Sequence, residues 1–375
     1  MKKNSLGRTD LEISMLGIGG FHLIESPQSE VNLILNQYLE AGGNYIETAE
    51  SYGDGISEEK IGKAVSGKRD KYILATKTTA RTKKEALKAL NGSLKRLKTE
   101  YVDIWYMHAV QSEKDSNMIL SPGGAMEAVE AAKRTGKVRY VGITGHGKPV
   151  GLLKAIKDFD YEVLMTGFNY FDRFNFPEIE SQLIPMCKEK GTGIIAMKVL
   201  ADGYLYRNHE KAIRYVMSLP ITSIVLGINT LSYLERDMKI IQEENALTDE
   251  EKETLFKESP ELGNYVCRLC GKCVTDGKNQ SDIFNPMEIF LLEGLYDRQM
   301  SNYTVPDPAQ YALRERLRFW FDQRNSAIEA YKKLKNRVDP EKDYSYLNEK
   351  CPYGIDIERK LKIAHAKLTG RESTI

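Results

Sequence analysis

The sequence predicts an α/β fold: a (β/α)8 barrel followed by a smaller α-helical domain. Three observations lead there. Eight short apolar runs rich in Ile, Val, Tyr and Met alternate with amphipathic helical stripes. The repeats occupy roughly 245 residues, the size of one such barrel and too many repeats for an ordinary open sheet. Near Leu247 the alternation stops and a tail with clustered cysteines begins, so the domains are expected at 1–246 and 247–375.

Taken in order, Leu6 to Ile13 reads as a short hairpin plug. The strands follow at Ser14–Ile18, Tyr45–Thr48, Tyr72–Lys77, Val102–His108, Val138–Thr144, Val163–Phe168, Gly193–Val199 and Ser223–Ile228. Between them, Val31, Ile34, Leu35, Tyr38 and Leu39 keep the i, i+3, i+4, i+7, i+8 spacing of a helix face. Similar stripes run through Lys83–Leu97, Ala125–Arg134, Glu178–Glu189 and Glu210–Ser218. Gly145, Gly147 and Gly151 follow a strand and open a helix, but their G-x-G-x-x-x-G spacing is not a dinucleotide fingerprint. In the tail, Thr248-Asp249-Glu250-Glu251 starts a capped helix, a long helical segment surrounds Leu313–Arg337, and a final helix begins at Asp356.

A net charge of +1 gives no reason to expect nucleic acid or an anionic membrane as a partner. The 41% hydrophobic and 29% charged content is that of a soluble globular chain, without an apolar run long enough for a leader or a membrane span. The expected location is the cytoplasm, where clustered cysteines serve as metal ligands more often than as disulfides.

The barrel's chemistry gathers around Gly42-Gly43-Asn44-Tyr45-Ile46-Glu47-Thr48-Ala49-Glu50-Ser51-Tyr52-Gly53. A helix stop leads into a strand, and the strand delivers the carboxylate of Glu47 and the phenol of Tyr52 to its C-terminal end. Lys77 and His108 end the next two strands, so a barrel would bring all four to one mouth. A phenol ordinarily titrates near pH 10, too high for ready proton exchange. An adjacent ammonium, itself held by a carboxylate, favours the phenolate, and an imidazole can orient a carbonyl oxygen. Phe21, His22, His146, Phe168 and Tyr170 are candidate pocket residues.

Leu6-Gly7-Arg8-Thr9, Leu16-Gly17-Ile18-Gly19-Gly20, Asn44-Tyr45-Ile46-Glu47-Thr48-Ala49 with Tyr52-Gly53, Ala75-Thr76-Lys77, Asp103 through His108, and Val141-Gly142-Ile143-Thr144 closely resemble the aldo-keto reductases, in the family's order. The resemblance implies a TIM barrel that passes hydride between a nicotinamide cofactor, NAD(P)H, and an aldehyde or ketone. It assigns Tyr52 as acid, Lys77 and Glu47 as its tuners, and His108 as the group orienting the carbonyl. For the cofactor it points to Thr144, Asn169, Met197, Lys198, Leu200, Gly227, Asn229 and Asp237. Glu47 replaces the family's aspartate, and Gly145 and Met165 stand where amide side chains usually meet the nicotinamide. Arg236 is the one nearby cation in the segment that often grips the 2′-phosphate of NADP.

Cys267, Cys270 and Cys273, spaced C-x2-C-x2-C, and the distant Cys351 before Pro352 form the sharpest signal in the chain. Three thiolates at that spacing wrap one face of a [4Fe–4S] cubane, and a fourth cysteine before proline completes ferredoxin-like sets. Zinc is the alternative, though zinc ribbons pair two separate knuckles. A ferredoxin-like tail of this kind also occurs in some aldo-keto reductase relatives, which this chain resembles. Either the cluster staples the tail or it exchanges electrons with a carrier partner. Cys187 reads as a buried thiol. The expected function is carbonyl–alcohol interconversion on a small, sugar-like substrate. The alternatives are a barrel with altered nicotinamide binding acting as a cluster-dependent redox or lyase/isomerase-type enzyme, and an inactive barrel carrying an electron-transfer module.

Overall fold

Each barrel strand is followed by a segment long enough to return the chain along the outside, so neighbouring strands run parallel. The computed structural model describes residues 1–201, 205, 208–258, 267, 270–275, 283–297 and 323–370, with only the backbone at 174 and 175. Two short strands, β1 (Lys3–Ser5) and β2 (Glu12–Ser14), pair antiparallel. Eight parallel strands follow: β3 (Leu16–Gly19), β4 (Tyr45–Glu47), β5 (Ile73–Thr78), β6 (Val102–Met107), β7 (Val138–Gly145), β8 (Val163–Gly167), β9 (Gly193–Met197) and β10 (Ser223–Gly227). They close in the order β10-β3-β4-β5-β6-β7-β8-β9.

All eight predicted barrel strands exist, with ends within two residues of expectation. The first is displaced to Leu16–Gly19 because Ser14 pairs with Lys3 in the N-terminal hairpin. The plug is real: Leu6, Leu11 and Ile13 are buried in one cluster with Tyr45, Ala75, Ile104, Val163 and Ile195 from inside the barrel. Gly7 permits the fit. Its φ is +55°, and a Cβ there would lie 2.3 Å from the Gly193 nitrogen at the start of β9.

Inside the ring, the Tyr45 and Tyr106 hydroxyls meet at 2.9 Å. A Cβ on Gly17 would come within 2.6 Å of the Tyr45 ring, and one on Gly142 within 2.3 Å of the Tyr106 ring, so glycines make room for the two phenols. Among the outer helices, Lys83–Leu97 and Ala125–Arg134 match the predicted spans. The Glu178–Glu189 stripe differs: it opens with a π turn at Ile179–Leu183 before the α-helix Ile184–Glu189. Pro185 has no N–H to give the preceding turn, which accounts for the irregular start. The helix Glu113–Leu120, missed in the sequence, begins with a capping box of Ser112 and Asp115.

Contacts divide the chain at Thr248–Asp249 into two compact units, with Met1–Ala201 and Asn208–Thr248 in the first. The described part of the second is helical: Asp249–Glu258, Pro286–Asp297, Gln323–Lys333 and Ile357–Thr369, with a 3-10 turn at Ser345–Lys350. Ile289, Phe290, Tyr331, Leu347, Leu361 and Leu368 are buried in its core. The last helix starts where expected, with the Asp356 side chain accepting from the Arg359 N–H, and stops at Gly370 with φ +75°. Residues 313–322 of the predicted long helix lie outside the described residues. Among the described residues, no helix is long and apolar enough to cross a membrane.

Candidate active site

Strand alternation decides which side chains reach the barrel axis. Tyr45, Ala75, Ile104 and Tyr106 belong to the interior cluster. Glu47, Lys77 and His108 lie an even number of residues further along the same segments, so they also face inward, at the carboxyl rim. Lys77 Nζ contacts the Glu47 carboxylate and donates to the Thr48 carbonyl at 2.9 Å and the Tyr52 hydroxyl at 3.0 Å. Those partners use all three ammonium protons. Because the phenol oxygen accepts from Lys77, its own proton is directed elsewhere.

Burial raises the phenol of Tyr52 above its ordinary value, so at neutral pH the group is a proton donor. Burial, followed by the like charge of Lys198, pushes the Lys77 ammonium down. Glu47 in contact opposes that push and favours the charged form. Phe21 packs edge-on against the Tyr52 ring at 5.2 Å, and the His108 ring lies 6.1 Å from Tyr52 and 6.4 Å from His146. Burial, then Lys77, His146, Arg81 and Lys198, lower the His108 pKa to about 2. His108 is therefore a neutral hydrogen-bonding group across the physiological range, and its Nδ1 is buried without a protein partner.

The corners holding these groups depart from ordinary backbone. Ala109, directly after His108, has φ +55°, and Lys198, directly after β9, has φ +56°. Such conformations cost a residue with a Cβ about 1–2 kcal/mol and persist where the surroundings impose them. Arg81 imposes the first, donating to the carbonyls of His108 at 2.8 Å and Ala109 at 3.2 Å. Thr144 Oγ1 accepts from the Ala109 N–H at 3.1 Å. Asn169 imposes the second, donating to the Lys198 carbonyl at 3.0 Å. The sequence reading missed Arg81, whose only signal was a cation four residues beyond Lys77.

The other residues assigned to the cofactor are distributed around the rim. Met197 ends β9 and is largely buried in the interior cluster, and Leu200 lies in the following turn. Gly227 ends β10 against His22, whose ring a Cβ would meet at 2.2 Å. Asn229 donates to Glu25 at 2.8 Å. Asp237 is buried on the helix Leu231–Gln242 and pairs with Arg236 at 3.0 Å. Of the remaining pocket candidates, Phe168 is buried and Tyr170 packs edge-on against Tyr215.

In the second unit Cys267, Cys270, Cys273 and Cys351 line one pocket of about 320 Å3, open mouth included, with Met287, Phe290, Ile355 and Ile357 among its apolar walls. None of the four is in a disulfide, nor is the buried Cys187. Burial, then Cys267, Cys270 and Cys351 nearby, push the Cys273 thiol up to about 11. Among the described residues, no three Cys, His, Asp or Glu side chains are grouped so as to hold a metal ion.

A closed parallel barrel with a phenol, an ammonium, a carboxylate and a neutral imidazole at its carboxyl rim is equipped to exchange a proton at a substrate oxygen. Residues 15–254 match the Aldo/keto reductase family, and the chain belongs to that family of oxidoreductases. It is 31% identical over 217 residues to the uncharacterized oxidoreductase YqkF of Bacillus subtilis, covering 55% of this chain and 67% of that protein. It is 29% identical over 219 residues to L-galactose dehydrogenase of Arabidopsis thaliana, covering 54% of this chain and 66% of the relative. These matches span about two thirds of the relatives' length. The holo form of aldo-keto reductase AKR11C1 from Bacillus halodurans aligns with a TM-score of 0.59 at 26% identity, over 68% of this chain and 96% of that one. The family match ends before the first clustered cysteine.

Proposed function

We propose that the chain interconverts an aldehyde or ketone and an alcohol on a small, sugar-like molecule, with a nicotinamide cofactor, and carries a [4Fe–4S] cluster on Cys267, Cys270, Cys273 and Cys351. The observation that carries the barrel reading is the bonding of Lys77 at once to Glu47, the Thr48 carbonyl and Tyr52. When bound, the nicotinamide supplies or takes the hydride. This chain's residues manage the proton and the oxygen. In the reducing direction Tyr52 gives its proton to the substrate oxygen, and the ammonium 3.0 Å away stabilises the phenolate left behind. Glu47 keeps that ammonium charged and in place. Neutral His108 donates a hydrogen bond that aims the carbonyl.

Met197 and Lys198, at the end of β9, are the residues proposed to meet the nicotinamide ring and a phosphate. Sugar-like substrates are suggested by the relative named L-galactose dehydrogenase. The cluster is supported by the C-x2-C-x2-C spacing with the distant Cys351-Pro352 and by the four cysteines lining one pocket. A reducing compartment such as the cytoplasm would keep those thiols available.

Oxidation of NADH and NADPH with a panel of aldehydes and aldoses, for the wild type and Tyr52→Phe, tests the barrel reading. Turnover by the wild type alone is expected, and equal rates would remove Tyr52 from the mechanism. Iron and sulfide analysis of anaerobically purified protein tests the tail, with about four of each per chain expected. A second reading, altered nicotinamide binding with cluster-dependent redox or lyase/isomerase-type chemistry, is favoured by Asn169 and Thr144, whose polar atoms engage protein partners. Calorimetric titration with both dinucleotides separates the two, because absence of binding supports the second.

A further inference from the structure

Glu25 is a carboxylate buried beside the barrel mouth, 3% exposed. It directly follows the 3-10 turn Gly20–Ile24, into which β3 leads. One of its oxygens stands 3.2 Å from His22 Nδ1, and the other accepts from the Asn229 side-chain amide at 2.8 Å. The Ser26 hydroxyl donates to the Asn229 carbonyl at 2.7 Å, so the segments after β3 and β10 are clasped at two points. Gly227, the last residue of β10, makes room for the His22 ring.

This clasp fixes the chemistry that His22 offers. A carboxylate only accepts hydrogen bonds, so Nδ1 carries the ring proton and the neutral imidazole keeps an acceptor lone pair on Nε2. Among the described residues Glu25 is the ring's only hydrogen-bond partner, and 30% of the side chain is exposed. Burying a carboxylate is costly, and here the cost is offset by bonds that hold one imidazole in one tautomer and one orientation.

Phe21 stands between His22 and Tyr52, its ring centroid 5.2 Å from each. A substrate whose carbonyl oxygen meets the Tyr52 hydroxyl can therefore extend along Phe21 to His22. With carbon–carbon bonds of about 1.5 Å, an open chain of about four to six carbons covers those two steps. A hydroxyl at its far end can donate to Nε2, and an alkyl end would leave that acceptor without a donor.

We propose that His22, aimed by Glu25, is a specificity-determining residue that accepts a hydrogen bond from a distal hydroxyl of the substrate. It selects open-chain polyhydroxy carbonyls, and the matching polyols, of about four to six carbons. The inference rests on the reading that Tyr52 exchanges its proton with a substrate oxygen.

Full-length wild type, His22→Phe and His22→Gln are assayed for oxidation of linear polyols, from ethane-1,2-diol to hexitols, beside 1-alkanols of equal length, with NAD and NADP. Polyols are used because, unlike aldoses, they do not cyclise. Dinucleotide affinity is measured in parallel by calorimetry. For the wild type, the polyol-to-alkanol ratio of kcat/KM should be flat for the shortest pair and rise to about tenfold for tetritols through hexitols, the worth of one hydrogen bond. His22→Phe should abolish that rise, and His22→Gln, which keeps an acceptor, should restore most of it. A merely structural role would lower polyol and alkanol turnover together and leave the ratio alone. A ratio that does not grow with chain length, or that survives His22→Phe, overturns the inference, as does an effect of His22→Phe confined to dinucleotide affinity. Those outcomes leave the Tyr52 reading standing. A wild type that turns over no carbonyl or alcohol overturns both. If His22→Phe fails to accumulate, a flat ratio in the wild type is sufficient to reject the role, and a rising one kept by His22→Gln supports it.

Discussion

The barrel rim and the helical tail pair buried charge differently. At the rim, the Lys77 ammonium is balanced on the spot by Glu47, and its protons are fully engaged by protein oxygens. In the tail, one buried carboxylate, Glu293, is shared by two lysines, Lys360 at 2.7 Å and Lys367 at 3.1 Å. The rim is electrostatically complete before substrate arrives, as a proton-transfer site should be when its geometry must not wait on binding.

Four measurements break or sharpen that contrast. The largest effect is expected from Cys351→Ser. Removing one of the four proposed ligands should cut iron content at least about tenfold, and retention of wild-type iron would exclude Cys351 as a ligand. Next comes Tyr52→Phe, which removes the proposed proton donor but keeps the ring. Its kcat should fall about 10²–10⁴-fold with KM little changed, as read from steady-state kinetics. Lys77→Met takes the cation from a buried carboxylate and should cost about 3–5 kcal/mol in urea denaturation. The double variant Glu47→Gln, Lys77→Met should recover part of that loss, because no charge is then left alone.

The smallest effect concerns His108. The unfolded chain takes up this proton near pH 6.5, and the folded protein does so only near 2. Stability from the neutral imidazole is thus fully present above pH 6.5. As pH falls below that value it is lost, by at most about 1.4 kcal/mol per pH unit. Denaturation at pH 7 and pH 5 should show a smaller loss for His108→Gln than for the wild type.

Much of the barrel was legible because its signals are local. Period-2 alternation and strand length placed Glu47, Lys77 and His108 at strand ends without reference to any distant residue. Element ends were less so: Ser14 left the first barrel strand for a hairpin with Lys3, and Pro185 replaced a regular helix start with a π turn. The cofactor assignments show the same limit. Thr144 and Asn169 were assigned by resemblance, and in the folded protein they also hold the backbone corners that aim His108 and Lys198.

By itself the sequence determined the eight-fold alternation, the order of the rim groups and the four-cysteine spacing, since each is a matter of residue type and interval along the chain. Only the tertiary structure decided that Lys77 bonds three partners at once, that Arg81 braces His108, and that Lys360 and Lys367 share Glu293. Those relations depend on how a closed ring sets strand register and how helices far apart in sequence are packed, and neither is encoded in a local interval.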